Sequence, residues 1–166
     1  MKLFLVYLGG SAPQANIELH DVRFVVGETI EDCYPQLRKQ WFGTQKGLHL
    51  DSYVQLHHVD GYKIELKSDP SEQSERLYFV NFGGYKQGQL AEAHEFMVCV
   101  ARSVEEAKAL GKQRLMLGTN MPHKDNLYAL DDLLTVDMLE GWHVHLHKDG
   151  NTQDLVPDWS GYEVIA

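Results

Sequence analysis

The chain has 166 residues, of which 43% are hydrophobic and 23% are charged, as is ordinary for a soluble globular protein. Its 24 acidic and 15 basic residues give a formal net charge of −9. This charge argues against nucleic acid and anionic membrane as partners, because both are bound through clustered lysine and arginine. We therefore expect neither of them as a partner.

The first predicted element is an apolar run at residues 3–8, which is followed by a pair of glycines. The run is apolar on both faces and so predicts a strand that is buried on both sides. It is short for a signal peptide, and it recurs at residues 77–82, again followed by two glycines. Because a segment used twice belongs to the fold, and because no run is long enough to span a bilayer, we expect a cytoplasmic protein.

The recurrence continues along the chain and predicts an internal repeat. An offset of 74 residues pairs Leu3 with Leu77, and an offset of 80 pairs Leu50 with Leu130. The change of offset places about six extra residues in the second copy, within the loop-forming stretch 118–126. We predict two tandem copies at residues 1–67 and 77–148, a polar linker at 68–76, and a tail at 149–166 that docks on the body.

Each copy is predicted to contain two strands, a helix and two further strands. In the first copy Val22, Phe24 and Val26 alternate with Arg23 and Val25, which predicts the second strand. The third and fourth strands are predicted at residues 53–59 and 62–66, on either side of an Asp-Gly turn.

The helices follow the second strand of each copy. In the first copy one helical face is formed by Ile30, Cys33, Leu37 and Trp41. Pro35 deletes a backbone donor near the start, so this helix is expected to begin late or to kink. In the second copy Ser103 and Glu106 fit a capping box, and Thr29 and Asp32 hold the equivalent places in the first.

The order of these elements predicts the fold class. A hairpin, a helix and then more strands give an α+β protein, and this order is typical of a β-grasp (ubiquitin-like) unit, here two units packed together. A ferredoxin-like fold is the alternative, but it requires a helix after the first strand. Residues 11–20 of the first copy form a poor helix by this criterion.

The chain has two cysteines, Cys33 and Cys99. An oxidised secreted scaffold of this size usually carries more, and neither cysteine lies in a CxxC motif. Two buried free thiols are the favoured interpretation, and a single bridge between them stays open.

The first candidate site is a Glu-x-His-acid pattern that occurs in both copies. Its members are Glu18, His20 and Asp21 in the first copy and Glu92, His94 and Glu95 in the second. In an extended segment the glutamate and the histidine point to the same side, where they suit a divalent metal or an oriented base. The alternative is that these side chains brace the long loop before the second strand, which both copies share.

The second candidate site is the glycine pair Gly9-Gly10, with Gly83-Gly84 as its counterpart. Paired glycines after a strand can expose backbone amides to an anion. The sequence has no phosphate-binding motif around them. We favour a turn that requires positive φ angles.

The third candidate site is a row of alternating histidines, His143, His145 and His147, on one face of a predicted strand. Imidazoles two residues apart can share a metal ion. Their counterparts in the first copy are Lys63, Glu65 and Lys67, however, so a polar surface rich in histidine is favoured.

Two further candidate residues distinguish the copies. His49 is replaced by Ala129 in the second copy and Arg23 by Met97, whereas Asp51 is retained as Asp131. A single active centre would therefore lie in the first copy.

Four segments of the first copy carry a resemblance to a known family: Leu8-Gly9-Gly10, the run from Asn16 through Gly27, Trp41-Phe42-Gly43, and the run from Leu48 through Tyr53. They are similar to the DUF1543 family, a bacterial family of unknown function whose members have one or two copies of the domain. The resemblance implies a bacterial cytoplasmic setting and no activity, cofactor or catalytic residue.

Two functions are compatible with these observations. The favoured one is a non-catalytic binding or protein-interaction module, whose partner is an unknown protein or small molecule and which is compatible with a homodimer. The alternative is a small-molecule or metal-dependent enzyme with its site near the Glu-x-His-acid segments. No cofactor is predicted, although a divalent metal suits His20, His94 or the histidine row.

Overall fold

The computed structural model describes residues 1–84, 88, 90–115 and 128–166, with the backbone alone at 128–132. The insertion predicted within 118–126 lies outside the described residues. In chain order the elements are β1 (Lys2–Gly10), β2 (Leu19–Gly27), a 3₁₀ turn (Glu31–Cys33), α1 (Tyr34–Gln40), β3 (His49–Gln55), β4 (His58–Val59), β5 (Tyr62–Lys67), β6 (Arg76–Gly84), β7 (Ala93–Ala101), α2 (Val104–Leu115), β8 (Tyr128–Val136), β9 (Met138–Leu139), β10 (Trp142–Lys148) and β11 (Trp159–Val164). The protein is α+β, as predicted, and strands dominate.

The strands form three antiparallel sheets. The first sheet has the order β11-β3-β1-β2, and the second has the order β7-β6-β8. The third sheet, β4-β5-β10-β9, joins the two halves of the chain, because β5 of the N-terminal half pairs with β10 of the C-terminal half. Among the described residues no helix combines the length and the apolarity needed to span a bilayer.

The pairing in the two halves is equivalent. Gly9 lies opposite His20 on one side and His49 on the other, and Gly83 lies opposite His94 and Ala129 in the same way. The pairings β1–β3 and β6–β8 also slip by one residue at the same point.

The expected β-grasp architecture is not confirmed. In each half the hairpin, the helix and the third strand follow in the predicted order, but the last strand leaves for the shared third sheet. The ferredoxin-like alternative is wrong for the first half, since residues 11–18 connect β1 to β2 without a helix.

Three apolar cores hold the sheets together. One core lies between the halves and includes Leu3 and Phe24 from the first and Leu77 and Val100 from the second. A second core lies between the other face of the first sheet and α1, and a third lies under α2. Strand β1 therefore has apolar side chains buried on both faces, as its sequence predicts.

The ends of several elements differ from the prediction. The third strand was predicted at 53–59, but β3 begins at His49 and ends at Gln55, because Leu56 turns into the core. Pro35 lies at the N-terminus of α1 and so interrupts no helical hydrogen bond. The predicted Asp-Gly turn is present: Asp60 and Gly61 have φ angles of 50° and 84°, which fit a two-residue hairpin turn.

The predicted capping positions are occupied in both halves. In the first half the Asp32 amide donates to Thr29 Oγ1 at 3.4 Å and the Thr29 amide donates to Asp32 Oδ2 at 2.9 Å, so the box is reciprocal. In the second half the Glu106 amide donates to Ser103 Oγ at 3.2 Å, while the Glu106 carboxylate accepts from the Arg102 amide.

The linker and the tail both lie against the folded body. Gln73 in the linker exchanges hydrogen bonds with the backbone of Leu146 in β10. In the tail, β11 extends the first sheet by pairing with β3, and Ile165 is buried in the second core. The Ile165 amide donates to the Leu48 carbonyl at 2.9 Å.

Cys33 and Cys99 are free and buried, in different cores. Burial raises the pKa of both thiols to about 12. A folded pKa above the unfolded value gives stability that is complete below the unfolded pKa, about 8.5, and that is lost as pH rises toward 12.

We therefore expect the free energy of unfolding to fall between pH 8 and pH 10.5, by roughly 2 kcal/mol for each thiol. Urea unfolding followed by circular dichroism over this range measures the slope. The variant Cys99→Ala is expected to be less stable at pH 8, but its free energy of unfolding is expected to fall less steeply with pH because it has lost one buried thiol. Tyrosine ionisation contributes equally to both proteins, so it does not affect the difference between their slopes. Parallel slopes for the variant and the unchanged protein would contradict the assignment.

Candidate functional site

The site of the first half is built across three adjacent strands. His20 on β2 and His49 on β3 both lie opposite Gly9 on β1, so one glycine separates two histidines in a row across the sheet. Cross-strand partners project to the same face of a sheet, so both imidazoles rise on the face that turns toward the second half.

Two carboxylates complete a cluster with these imidazoles. His20 Nε2 lies 3.7 Å from Glu18 Oε2 and 3.3 Å from Asp51 Oδ2. His49 Nε2 lies 3.4 Å from Glu18 Oε1 and 3.4 Å from Asp51 Oδ1. Each carboxylate thus turns one oxygen toward each ring. We call Glu18, His20, His49 and Asp51 the four-residue cluster.

The glycine pair has a different role from the predicted one. Gly9 and Gly10 are the last residues of β1, and neither has a positive φ angle, so the prediction of a turn that requires positive φ is wrong. A Cβ atom at Gly9 would lie 2.4 Å from His49 Nε2 and 2.8 Å from Asp51 Oδ2. A Cβ atom at Gly10 would lie 2.8 Å from the indole of Trp41. Both glycines make room for side chains from neighbouring strands.

His49 is held rigidly. Only 1% of its surface is exposed, and the ring packs against Tyr162 of β11 with the centroids 4.1 Å apart. Its Nδ1 lies 2.8 Å from the carbonyl oxygen of Gly47. Because a carbonyl oxygen only accepts, Nδ1 carries the proton, and Nε2 is the atom that faces the cluster.

Asp51 occupies the irregularity between β1 and β3. Tyr7 pairs with Ser52 and Leu8 with Leu50, so Asp51 is the extra residue of a β-bulge. Bulges redirect side chains and occur next to functional sites. The Oδ2 atom of Asp51 is buried and has no hydrogen-bond partner.

Tyr7 forms one wall of the cluster. Its ring stacks on His20, with the centroids 5.4 Å apart and the planes 6° apart. Burial, followed by the charges of Asp51 and Asp21, raises the pKa of the Tyr7 hydroxyl. The group therefore stays protonated at neutral pH and can donate a hydrogen bond.

Asp21 and Arg23 serve another contact. The Arg23 guanidinium lies 2.5 Å from Asp21 Oδ2 and also donates to the Gln40 carbonyl at the end of α1. The hydrogen bond to Gln40 ties β2 to the helix, and the ion pair with Asp21 orients the guanidinium. Arg23 is therefore a framework residue next to the site.

The second half carries only part of the cluster. His94 Nε2 lies 4.0 Å from Glu92 Oε2, and the position that His49 fills on β3 is Ala129 on β8. Glu95 lies on β7 opposite Phe82. That a single centre would lie in the first half stays a prediction from the sequence.

A cleft of about 640 Å³ lies between the halves, where the two Glu-x-His segments meet. Strands β1 and β6 face each other across the shared core, and their facing side chains are apolar at the start of each strand. Toward the end of each strand these side chains become Tyr7 on β1 and Asn81 on β6, and two positions later both strands have glycine. The cleft is lined by Tyr7, Ile17, His20, Asp21, Val22, Phe79, Asn81, Glu92, His94 and Phe96. His20 therefore belongs both to the cleft and to the four-residue cluster.

The histidine row on β10 is separate from this site. His143, His145 and His147 pair across the third sheet with Lys67, Glu65 and Lys63. His147 Nε2 lies 2.7 Å from Glu65 Oε2, and His145 Nε2 lies 2.8 Å from the Asp69 carbonyl. These contacts agree with the favoured interpretation of a polar surface.

Some residues of the site were missed from the sequence. Tyr7, Asn81 and Phe96 occupy equivalent faces of the two hairpins, and the strand alternation together with the 74-residue offset contained that information. Tyr162 had no such signal, because the tail has no counterpart in the repeat.

Known proteins place the chain in a family without adding an activity. Residues 15–66 match the family model described as Domain of Unknown Function (DUF1543). The crystal structure of protein Il1583 from Idiomarina loihiensis is 50% identical in sequence, with a TM-score of 0.80, and the match covers 99% of this chain and 98% of that one. No curated protein matches. Residues 15–66 therefore form a DUF1543 domain, and the chain as a whole belongs to the same family as protein Il1583.

Proposed function

We propose that this protein is a binding module that takes a small organic molecule into the cleft between its halves. The observation that carries the proposal is that both Glu-x-His segments, which are far apart in sequence, line one cleft of about 640 Å³. That volume lies within the usual range for small-molecule sites, about 300–1,000 Å³.

The lining indicates the class of molecule. Tyr7, Phe79 and Phe96 supply aromatic surface, with Tyr7 and Phe96 stacked at 6.2 Å. Glu92 supplies negative charge, whereas the charge of Asp21 is balanced by Arg23. Asn81 supplies an amide that both donates and accepts. An apolar or aromatic ring that bears a cationic or hydrogen-bonding group fits this combination.

The cleft depends on the presence of both halves, which we propose are two tandem copies of one domain. The equivalent registers around Gly9 and Gly83 and the equivalent bulges support a duplication. A cytoplasmic location stays a prediction from the sequence.

The proposal is tested by equilibrium dialysis of the tag-free protein against a protein-free bacterial metabolite extract, followed by mass spectrometry of the retained compounds. We expect one compound or a few related compounds to be retained. His94→Ala removes a cleft side chain outside the four-residue cluster and is expected to weaken retention about tenfold, the effect of 1.4 kcal/mol. His143→Ala on the third sheet is the matched control and is expected to bind like the unchanged protein.

Two results would contradict the proposal. One is that the folded protein retains nothing beyond what a denatured sample retains. The other is that both histidine variants bind the compound equally well, which would place the binding outside the cleft.

A further inference from the structure

We propose that Glu18, His20, His49 and Asp51 form a binding site for a divalent transition-metal ion of the zinc class. The site shares His20 with the cleft, but metal binding does not depend on the cleft ligand.

Three of the four imidazole–carboxylate contacts, each taken as a pair, have the spacing of two ligands of one zinc ion rather than that of a hydrogen bond. The four distances from imidazole nitrogen to carboxylate oxygen are 3.3, 3.4, 3.4 and 3.7 Å. Charge-assisted hydrogen bonds are shorter, about 2.7–2.9 Å. Ligand atoms placed about 2.0–2.1 Å from a tetrahedral zinc ion lie about 3.3–3.4 Å from one another.

The geometry around His49 turns one ring nitrogen toward the proposed ion. Its Nδ1 lies 2.8 Å from the Gly47 carbonyl oxygen, and its Nε2 faces one oxygen of Glu18 and one of Asp51, each at 3.4 Å. Only 1% of His49 is exposed, so the ring is enclosed at this position. A metal ion between these atoms would supply a positive charge beside the two carboxylates, and a hydrogen bond from the other ring nitrogen to a backbone carbonyl is usual for a metal-binding histidine.

Asp51 gives an independent indication. Its Oδ2 atom is buried without a hydrogen-bond partner, which is costly for a carboxylate. This atom faces His20 Nε2, the other imidazole of the cluster. A bound cation would satisfy both the orphaned oxygen and the ring nitrogens.

The carboxylates of the four-residue cluster would have to rotate to bind a metal ion. As the side chains stand, no group of three or more His, Cys, Asp or Glu among the residues that the structure describes could hold one. In this cluster each carboxylate turns one oxygen toward each ring, so the four contacts run to four different oxygens. Terminal carboxylate torsions have broad minima, so one oxygen of each group can turn inward without moving the backbone.

The donor set selects the metal. Two imidazoles with two carboxylates suit zinc and similar transition ions, whereas magnesium prefers octahedral oxygen ligands and retained water. The second half has alanine in place of the buried imidazole, so we expect about one ion per chain.

The experiment is isothermal titration of chelator-stripped, tag-free, full-length protein with Zn²⁺, with Mg²⁺ as the comparison ion. We expect stoichiometric binding of Zn²⁺ and none of Mg²⁺. Titration with Co²⁺ is expected to give the intense visible absorption of a tetrahedral site. Glu18→Gln, whose side chain is half exposed, is expected to weaken Zn²⁺ binding about tenfold or more, and Asp51→Asn about 100-fold.

Two controls separate this site from adventitious binding. A variant with His143, His145 and His147 all replaced by glutamine is expected to bind Zn²⁺ normally. Circular dichroism of Glu18→Gln and Asp51→Asn shows whether each variant is folded before its affinity is interpreted.

The proposal is overturned if the unchanged protein binds no Zn²⁺, or if the histidine-row variant loses the ion while the folded Asp51→Asn variant keeps it. Zinc binding with no retained metabolite would support the metal site and contradict the cleft proposal. The reverse result would do the opposite, so the two failures are distinguishable.

Discussion

Gly9→Ala is expected to lower the free energy of unfolding by about 2–3 kcal/mol, at the upper end of the effect of overpacking, and to weaken Zn²⁺ binding at least about tenfold. The added Cβ would meet His49 Nε2 at 2.4 Å and Asp51 Oδ2 at 2.8 Å. His49 cannot retreat, because Tyr162 covers its ring and Gly47 holds its other nitrogen. Urea unfolding and zinc titration of the same sample measure the two effects.

Gly83→Ala is the matched control for this prediction. Gly83 holds the equivalent place in β6, but the residue opposite it on β8 is Ala129, and an alanine has no imidazole for the new methyl group to meet. We expect a smaller loss of stability and an unchanged zinc affinity. Equal losses of stability and of zinc affinity in the two variants would contradict the prediction. They would show that any glycine-to-alanine change at this strand position has the same effect, with or without the four-residue cluster.

Removing residues 157–166 is expected to destabilise the protein by at least about 3 kcal/mol. The deletion removes β11 and the buried side chain of Ile165, and it takes Trp159 away from Tyr53, on which its ring stacks at 6.1 Å. It also uncovers His49 and leaves β3 as an open edge, so we expect self-association as well. Thermal unfolding and size-exclusion chromatography check the two outcomes.

Tyr34→Phe is the control for the tail. It deletes one hydrogen bond, which the Tyr34 hydroxyl donates to Glu163 Oε1 at 2.5 Å, and leaves the strand in place. The expected loss is about 1 kcal/mol. A truncated protein as stable as Tyr34→Phe would mean that the tail contributes little to the fold.

The order of the elements in each half was predictable because local signals agree with one another. The alternation from Val22 to Val26, the apolar spacing of Cys33 and Leu37, and the turn at Asp60 each indicated the element in which they lie. The start of β3 was missed because His49 and Asp51 are polar, although they lie within the strand. The pairing of β5 with β10 could not be predicted either, because the paired residues lie 76 to 86 positions apart and no local sequence pattern indicates such a distant partner.

Half of the candidate site was predictable, for a related reason. Glu18 and His20 were found as a spaced pair, and His49 was found because the second half has Ala129 in its place, whereas Asp51 is matched by Asp131. Their convergence follows from the register around Gly9 and from the bulge at Asp51, neither of which has a sequence signature. The glycine pair was misassigned because close approach and positive φ both favour glycine, and the sequence cannot separate the two causes.

The pairing of β5 with β10 has a consequence for how the protein could change. If the halves were separate chains, the same sheet would form only above some concentration, and two identical subunits would carry identical clusters. The linker at residues 68–76 joins the halves, so the effective concentration of one half at the other is set by the linker and not by the concentration of the protein. A single chain also allows the two halves to differ, and Ala129 of the second half holds the place of His49 in the first. One half of such a chain can therefore carry the four-residue cluster while the other half lines the opposite side of the cleft.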